Sequence, residues 1–415
     1  MLDLKAIRND PEPTLAALAR RKDGSQDRLS EALELDARRR EILPRSEQIS
    51  AEQNAANDAI AQAKRGGGDA TEAIAKMKEI AAEGKRLKEE LVTVEERLAE
   101  AMAQVPNPPD PTAADEDTEI SSWGDPRPEG RDHLELAGDL IDMEAAAKVS
   151  GSRFAYIKGD LVILELAIVQ YMMNKLGGHG FTPVIPPVLV REKALYGTGF
   201  LPDTEQQIYR LADDDLYLTG TSEVALASLH EGEILDEADV PLRYAGFSPC
   251  FRREAGTAGR DTRGIFRVHQ FEKVEMFAFV RPEDSSAEHE RILAIEESIM
   301  QDLGLPYRVV NIAVDDLGAS AAKKFDIEAW LPSQQKYREL TSCSNTTDFQ
   351  ARRLNVRIRP EGGGSPHTAH TLNGTATALG RTIIAILENH QGPDGIVSVP
   401  EVLTQFGAPA TIGGT

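Results

Sequence analysis

Residues 248–275 read SPCFRREAGTAGRDTRGIFRVHQFEKVE, with six basic residues against four acidic ones in a chain whose formal net charge is −22. Arginines in such a cluster suit phosphates, because a guanidinium presents a planar fork of donors to two oxygens at once. Two antiparallel strands, 248–254 and 266–275, joined by a loop at 255–265, are expected here. Side chains alternate across a strand, so Arg252 and Glu254 share a face, as do Arg267, His269, Phe271, Lys273 and Glu275. Such a row could clamp phosphates, stack a base on Phe271 and set Glu275 against an ammonium group. The same alternation also describes a salt-bridged solvent face, and the stretch alone leaves both readings open.

Three further stretches carry residue types that could join this chemistry. YRELTSCSNTTDFQARR (337–353) sets Glu339 and Thr341 on one strand face with Ser342 beside them, and a carboxylate with a hydroxyl suits Mg²⁺ next to phosphates. HTLNGTATALGR (370–381) places Asn373, Gly374 and Thr375 just before a helix that contains Arg381. The plain alternative is a helix cap by Thr375 or Thr377. TGTSE (219–223) also resembles a cap, with Glu223 in the first turn. No GxxxxGK[ST] and no GxGxxG after a strand occurs, so a nucleotide would be held by other means. The histidines lack HxH and HExxH spacing, which argues against zinc. Cys250 and Cys343 lie in apolar strands and read as small buried hydrophobes.

These stretches need a framework. At 415 residues the chain exceeds one ordinary domain. Its 41% apolar and 27% charged content is that of a globular protein. No signal core, no apolar run of membrane length and only two cysteines fit a cytoplasmic protein outside the membrane. A pI near 4.9 argues against nucleic-acid binding through global charge, though not through local basic patches. Leu35, Ile42, Ile49, Ala56 and Ala63 repeat every seven residues. Met77, Ile80, Gly84, Leu87, Leu91, Val94, Leu98 and Ala101 alternate by three and four, a heptad seam. KRGGGDA (64–70) breaks the pattern, so two antiparallel helices over about 27–103 form an arm roughly 50 Å long. That arm is either a spacer or dimerisation coiled coil, or a reach toward a large partner. The domains are read as 1–105 with the arm, a proline-bearing linker at 106–117, and 118–415. Helices are expected at 160–178 and 381–391. Strands are expected at 181–190, at an edge because of its prolines, and at 242–251, 265–280, 307–314, 324–331 and 336–344. This mixture implies an α+β fold, an antiparallel sheet flanked by helices.

Taken together, TGTSE, the stretch 249–275, 337–353, 370–381 and the helical hairpin resemble bacterial-type seryl-tRNA synthetases, over essentially the whole chain. The match to FRxEAGxxGRDTRGxxRxHQFxKVE is long and specific. The resemblance implies a class II aminoacyl-tRNA synthetase: a serine–tRNA ligase that makes seryl-adenylate from L-serine and ATP, then charges tRNA(Ser), and tRNA(Sec) where present. It implies a homodimer built on the segment ending at Pro187, and an arm that binds tRNA. It further implies that Arg252, Arg267 and Arg381 are catalytic. ATP would meet Arg252, Arg253, Glu254, Arg267, Val268, Phe271, Glu339, Leu340, Thr341, Ser342 and Arg381, with adenine between Phe271 and Arg381. Serine would meet Thr221, Ser222, Glu223, Arg252, Glu275, Asn373 and Thr375, and Mg²⁺ would meet Glu339 and Ser342. Arg260 and Arg263 are read as contacts to the tRNA acceptor end, and Arg28, Arg38, Arg39, Arg40, Lys64 and Arg65 as contacts along the arm. The sequence departs from the family at Thr341, where serine is common, and at Thr375 and Ala376 within NGTATA. The rival enzyme reading is a synthetase-like amino acid:carrier-protein ligase, which would lack the arm. A rival of another class is an inactive nucleic-acid-binding or scaffold protein on the same fold.

Overall fold

The computed structural model describes residues 2–67, 71–202, 207–255, 261 and 263–413. It divides into a unit at Met1–Pro106 and a second at Asn107–Thr415.

In the first unit, two short helices, Leu4–Asn9 and Glu12–Ala19, precede α1 (Ser25–Arg65) and α2 (Thr71–Gln104). The two long helices pack against each other along the predicted seam. Leu35, Ile42 and Ile49 are buried on α1, and Gly84, Leu87, Val94 and Leu98 on α2. Gly84 serves close approach, because a Cβ there would lie 2.4 Å from Gln53 Nε2 and 2.9 Å from Ile49 Cγ2. The helix flanks are tied by ion pairs, Arg45–Glu83 at 3.1 Å and Arg97–Glu31 at 2.8 Å. Several arginines proposed for RNA are engaged in this way. Arg38 pairs with Glu90 and Glu41, Arg39 with Glu95, Arg40 with Asp36, and Arg28 with Asp23. Lys64 and Arg65 are exposed in the last turn of α1.

The second unit is built on an eight-stranded sheet. Its strands are β1 (Thr118–Trp123), β2 (Thr182–Val184), β3 (Leu242–Phe251), β4 (Gln270–Val280), β5 (Tyr307–Asn311), β6 (Lys323–Leu331), β7 (Lys336–Thr347) and β8 (His370–Ala378). Their spatial order is β1-β5-β6-β7-β8-β4-β3-β2. All neighbours are antiparallel except β2 on β3, which makes the sheet mixed and places the proline-bearing segment at an edge. Helices α3 (Asp160–Gly178), α4 (Glu223–Ala227), α5 (Ser285–Asp302), α6 (Phe349–Leu354) and α7 (Leu379–Asn389) flank it. One face is covered by α5, whose Ile292, Ile299 and Met300 are buried. Near the β3–β4 hairpin the other face carries α4 and α6, with Leu226, Ala351 and Leu354 packed on Phe277 and Phe279.

Helix α3 reaches the length and hydropathy of a membrane span, which the sequence reading did not expect. Its Leu161, Leu164, Ile168, Met172 and Leu176 enter the core of the unit, while Val162, Ile163 and Leu166 stay exposed.

Two local expectations fail. The strands of the arginine stretch end at Phe251 and begin at Gln270, so Arg252, Glu254 and Arg267 lie on the connecting segments rather than in the ladder. Residues 373–377 belong to β8 and do not cap a helix: Asn373 and Gly374 are paired on both sides by β4 and β7, and Thr375 and Thr377 are paired with β4. TGTSE does head α4 with Glu223 in its first turn, and the Thr221 hydroxyl, not that of Ser222, accepts a helix-end amide.

Candidate active site

The central strands bring the quoted motifs together. Phe271, Lys273 and Glu275 share one face of β4. Across from Glu275 on β8 stands Thr375, and across from Phe277 stands Asn373, so both join that face. β8 pairs in turn with β7, where Ser344 lies opposite Asn373. Between Glu339 and Thr341 the register slips: Ile327 pairs with Thr341 but Glu328 with Glu339, leaving Leu340 as an extra residue. This bulge reverses the alternation. Glu339 and Ser342 therefore face the cleft, while the Thr341 hydroxyl turns to the other side and donates to Glu296 Oε2 at 3.0 Å. The expectation that Glu339 and Thr341 share a face is corrected by that one inserted residue.

The cleft, about 640 Å³ with part of that open to solvent, is lined by Arg252, Glu254, Arg267, Val268, Phe271, Lys273, Glu339, Leu340, Thr341, Ser342, Thr375 and Arg381, with Phe266 and Ile265 among the apolar residues; Thr341 borders it although its hydroxyl is turned to Glu296. Arg253 lies outside this lining. It is exposed, and its amide donates to Gln207 O at 2.9 Å. Arg263 also points outward, to Asp132 at 2.9 Å. Arg260 lies outside the described residues.

The charges in the cleft are mutually engaged. Arg267 donates to Glu254, which adopts a left-handed backbone at φ 49°. Arg252 Nε donates to Gly220 O at 3.3 Å, and its guanidinium lies 5.2 Å from the Phe271 ring. Arg381 donates to Glu339 O at 2.9 Å and lies 4.7 Å from the Phe266 ring. Phe271 and Arg381 thus line one cleft, but each is paired with a different partner. Phe266 is an aromatic wall that sequence reasoning missed. Burial works to raise the Glu339 carboxyl, but Arg381, Lys324, Arg252 and Lys273 outweigh it and hold the group below the usual carboxylate range.

Deeper in, Glu275 is 2% exposed and ion-paired with Lys273, and it accepts from Thr375 Oγ1 at 3.4 Å. Lys273 shared the predicted face but carried no assigned role. Its ammonium now occupies the carboxylate expected to meet an amine. Glu223 comes from α4 and accepts from Gln350 Nε2 at 2.7 Å. Burial, then the like charge of Glu275, raise its carboxyl to about 7. Thr221 Oγ1 accepts the Glu223 amide at 3.3 Å. The Ser222 hydroxyl is engaged with Ser248 Oγ at 2.7 Å and is fully buried. An arginine-lined cleft thus adjoins, through Lys273 and Thr375, a buried acidic cluster with hydroxyls and amides around it, a layout suited to a polyphosphate beside an amino acid.

Residues 1–109 match the seryl-tRNA synthetase N-terminal domain, and residues 207–390 match the tRNA synthetase class II core domain (G, H, P, S and T). A crystal structure of seryl-tRNA synthetase from Pyrococcus horikoshii complexed with ATP superposes with a TM-score of 0.92, at 41% identity over 100% of both chains. The chain belongs to the seryl-tRNA synthetase family. A cytoplasmic serine–tRNA ligase from Naegleria fowleri in complex with AMP is similar at 32% identity and a TM-score of 0.83, over 97% of this chain and 96% of that one. A prolyl-tRNA synthetase from Giardia lamblia, at 15% identity and a TM-score of 0.57, shares the fold over 65% of this chain and 53% of its own. As a seryl-tRNA synthetase the chain is a class II ligase that joins serine to tRNA, and its helical hairpin belongs to the family's tRNA-binding domain. The carrier-protein reading is not favoured, since the full-length resemblance includes the arm.

Proposed function

We propose that the cleft activates L-serine with ATP; the observation carrying this reading is that Arg252, Arg267 and Arg381 line the cleft, while Lys273 and Thr375 on its wall contact Glu275, the carboxylate whose charge acts on Glu223. ATP would lie in the outer part, as the Pyrococcus and Naegleria relatives' complexes with ATP and AMP support. Arg252 would hold the α-phosphate and the serine carboxylate, and Arg267 the γ-phosphate after leaving Glu254. Adenine would stack between Phe271 and Arg381, its edge read by Glu254 and the backbone of Val268. The serine ammonium would meet Glu275, Glu223 and Thr221, and its hydroxyl Asn373 and Thr375. Glu339, kept ionised by its cationic neighbours, and the Ser342 hydroxyl on the same face suit Mg²⁺. A bound Mg²⁺ would supply charge neutralisation on the phosphates.

The serine carboxylate then attacks the α-phosphorus in line. The bond to the leaving pyrophosphate breaks, and seryl-adenylate forms. The carboxylate is ionised at neutral pH, so this step needs no base, and the residues act by orientation and by neutralising charge. A ribose hydroxyl at the 3′ end of tRNA(Ser) takes the seryl group next. A pocket that hydrogen-bonds the serine hydroxyl rejects alanine, because Asn373 and Thr375 would lose a partner.

The working unit in this reading is a cytoplasmic homodimer. Val162, Ile163 and Leu166 on α3, with Ile185 at 84% exposure, form an apolar surface suited to a second copy. Pyrophosphate exchange with each amino acid in turn, then charging of bulk tRNA, tests the reading. Exchange with serine and charging of tRNA(Ser) are expected. Exchange with another amino acid alone, or adenylate formation with no tRNA charging, overturns it. Light scattering of the full chain should give twice the 45.3 kDa chain mass.

A further inference from the structure

We infer that Gln350, on α6, is a positioning residue for serine: it holds the Glu223 carboxylate where that group meets the substrate ammonium. This rests on the reading of Glu223 given above. Gln350 lies in the DFQARR run, to which no function has yet been attached. It is fully buried, as are the groups it touches on Thr198, Thr346 and Thr371. Its amide nitrogen donates to Glu223 Oε1 at 2.7 Å and to the Thr198 carbonyl at 3.3 Å. Its amide oxygen accepts from Thr371 Oγ1 at 3.0 Å and from Thr346 Oγ1 at 3.4 Å. A carbonyl can only accept, so the Thr198 contact decides which end of the amide is nitrogen. The donor therefore faces Glu223. Thr198, Thr346 and Thr371 are not part of the cleft lining, and the amide has no freedom to turn without stranding a buried group.

The titratable groups facing Glu223 are Glu275 and Lys273 on β4. The Asn373 amide of β8 and the Gln350 amide of α6 complete its surroundings. Two buried carboxylates side by side repel, so Glu223 depends on donors to stay ionised and in place. Gln350 supplies such a donor at 2.7 Å. Gln350 is not among the residues that line the cleft, so its effect should be confined to serine.

The test is steady-state pyrophosphate exchange with the full-length Gln350→Met enzyme, varying serine and ATP separately between pH 6 and 9. Loss of a hydrogen bond to a charged group should raise the serine KM about 10- to 100-fold, with the ATP KM within about 2-fold of wild type. The donor favours ionised Glu223, so its removal should move the acid limb of kcat/KM for serine to higher pH. Thr371→Val removes a contact that anchors the amide and should give the same serine-specific change at smaller size. It decides the matter if the methionine variant does not fold. A fall in kcat with both KM values and the pH limb unmoved overturns the positioning role. Glu223→Gln is the separate arm. If it leaves the serine KM unchanged, the reading of Glu223 itself fails. If it raises the serine KM while neither Gln350→Met nor Thr371→Val does, only the role of Gln350 fails.

Discussion

Gly374 stands between Asn373 and Thr375, with its missing side chain pointed at α5. A Cβ built there lies 2.4 Å from Ile292 Cγ2, 2.8 Å from Glu296 Oε1 and 3.2 Å from Met276 Cε. Ile292, Glu296 and Met276 are all fully buried, so none can swing into solvent. For Gly374→Ala, ordinary contact begins at 3.4 Å, and β8 or α5 must separate by about 1 Å. Overpacking of this kind costs about 1–3 kcal/mol of stability. Because α5 is anchored along its length in the core, β8 is the element expected to lift, carrying Asn373 and Thr375 into the serine pocket. A displacement of about 1 Å at a substrate-positioning residue can cost roughly 100-fold in rate. Exchange should therefore lose most of its serine kcat/KM, and thermal unfolding should shift down. The double variant Gly374→Ala with Ile292→Ala removes the opposing methyl and should recover part of the lost serine kcat/KM, a coupling read by a double-mutant cycle. Wild-type serine kinetics in Gly374→Ala, or no coupling to Ile292, would refute the idea that α5 sets the height of this strand.

Other outcomes follow from the same geometry. Arg252→Ala should lose about 3 kcal/mol of transition-state stabilisation in serine-dependent exchange, and near-wild-type exchange sinks its role at the α-phosphate. Removal of residues 27–103, within the separate first unit, should spare exchange and abolish tRNA charging, and unchanged charging refutes the assignment of the arm. Glu223, with its carboxyl near 7, must be ionised to attract an ammonium. From pH 8 to pH 6 its ionised fraction falls from about nine-tenths to about one-tenth, so kcat/KM for serine should drop about 10-fold while the ATP KM holds. A flat serine profile over that range contradicts the assignment.

Local pattern carried much of this protein. The three glycines at 66–68 and the seven-residue repeat predicted the hairpin, because helix periodicity and helix breaking are local properties. Strict alternation placed Phe271, Lys273 and Glu275 on one face of β4, and unbroken pairing with β3 kept them there. Where alternation is interrupted, the sequence was silent. Nothing in YRELTS marks Leu340 as a bulge, since the slip arises from the register between β7 and β6. That register alone decides that Ser342 faces the cleft and Thr341 faces Glu296. The same holds for β8, which reads as a loop and cap until strands on both sides claim its backbone. Lys273 on Glu275 and Gln350 on Glu223 were beyond reach for a different reason. The second contact joins residues 127 apart in the chain. Its strength comes from burial, which only the packing of α4 and α6 against the sheet creates. The sequence by itself determined which side chains could handle phosphate, metal and amine. Tertiary pairing decided which of them face the cleft, and the balance of burial against neighbouring cations decided which carboxylates stay charged there.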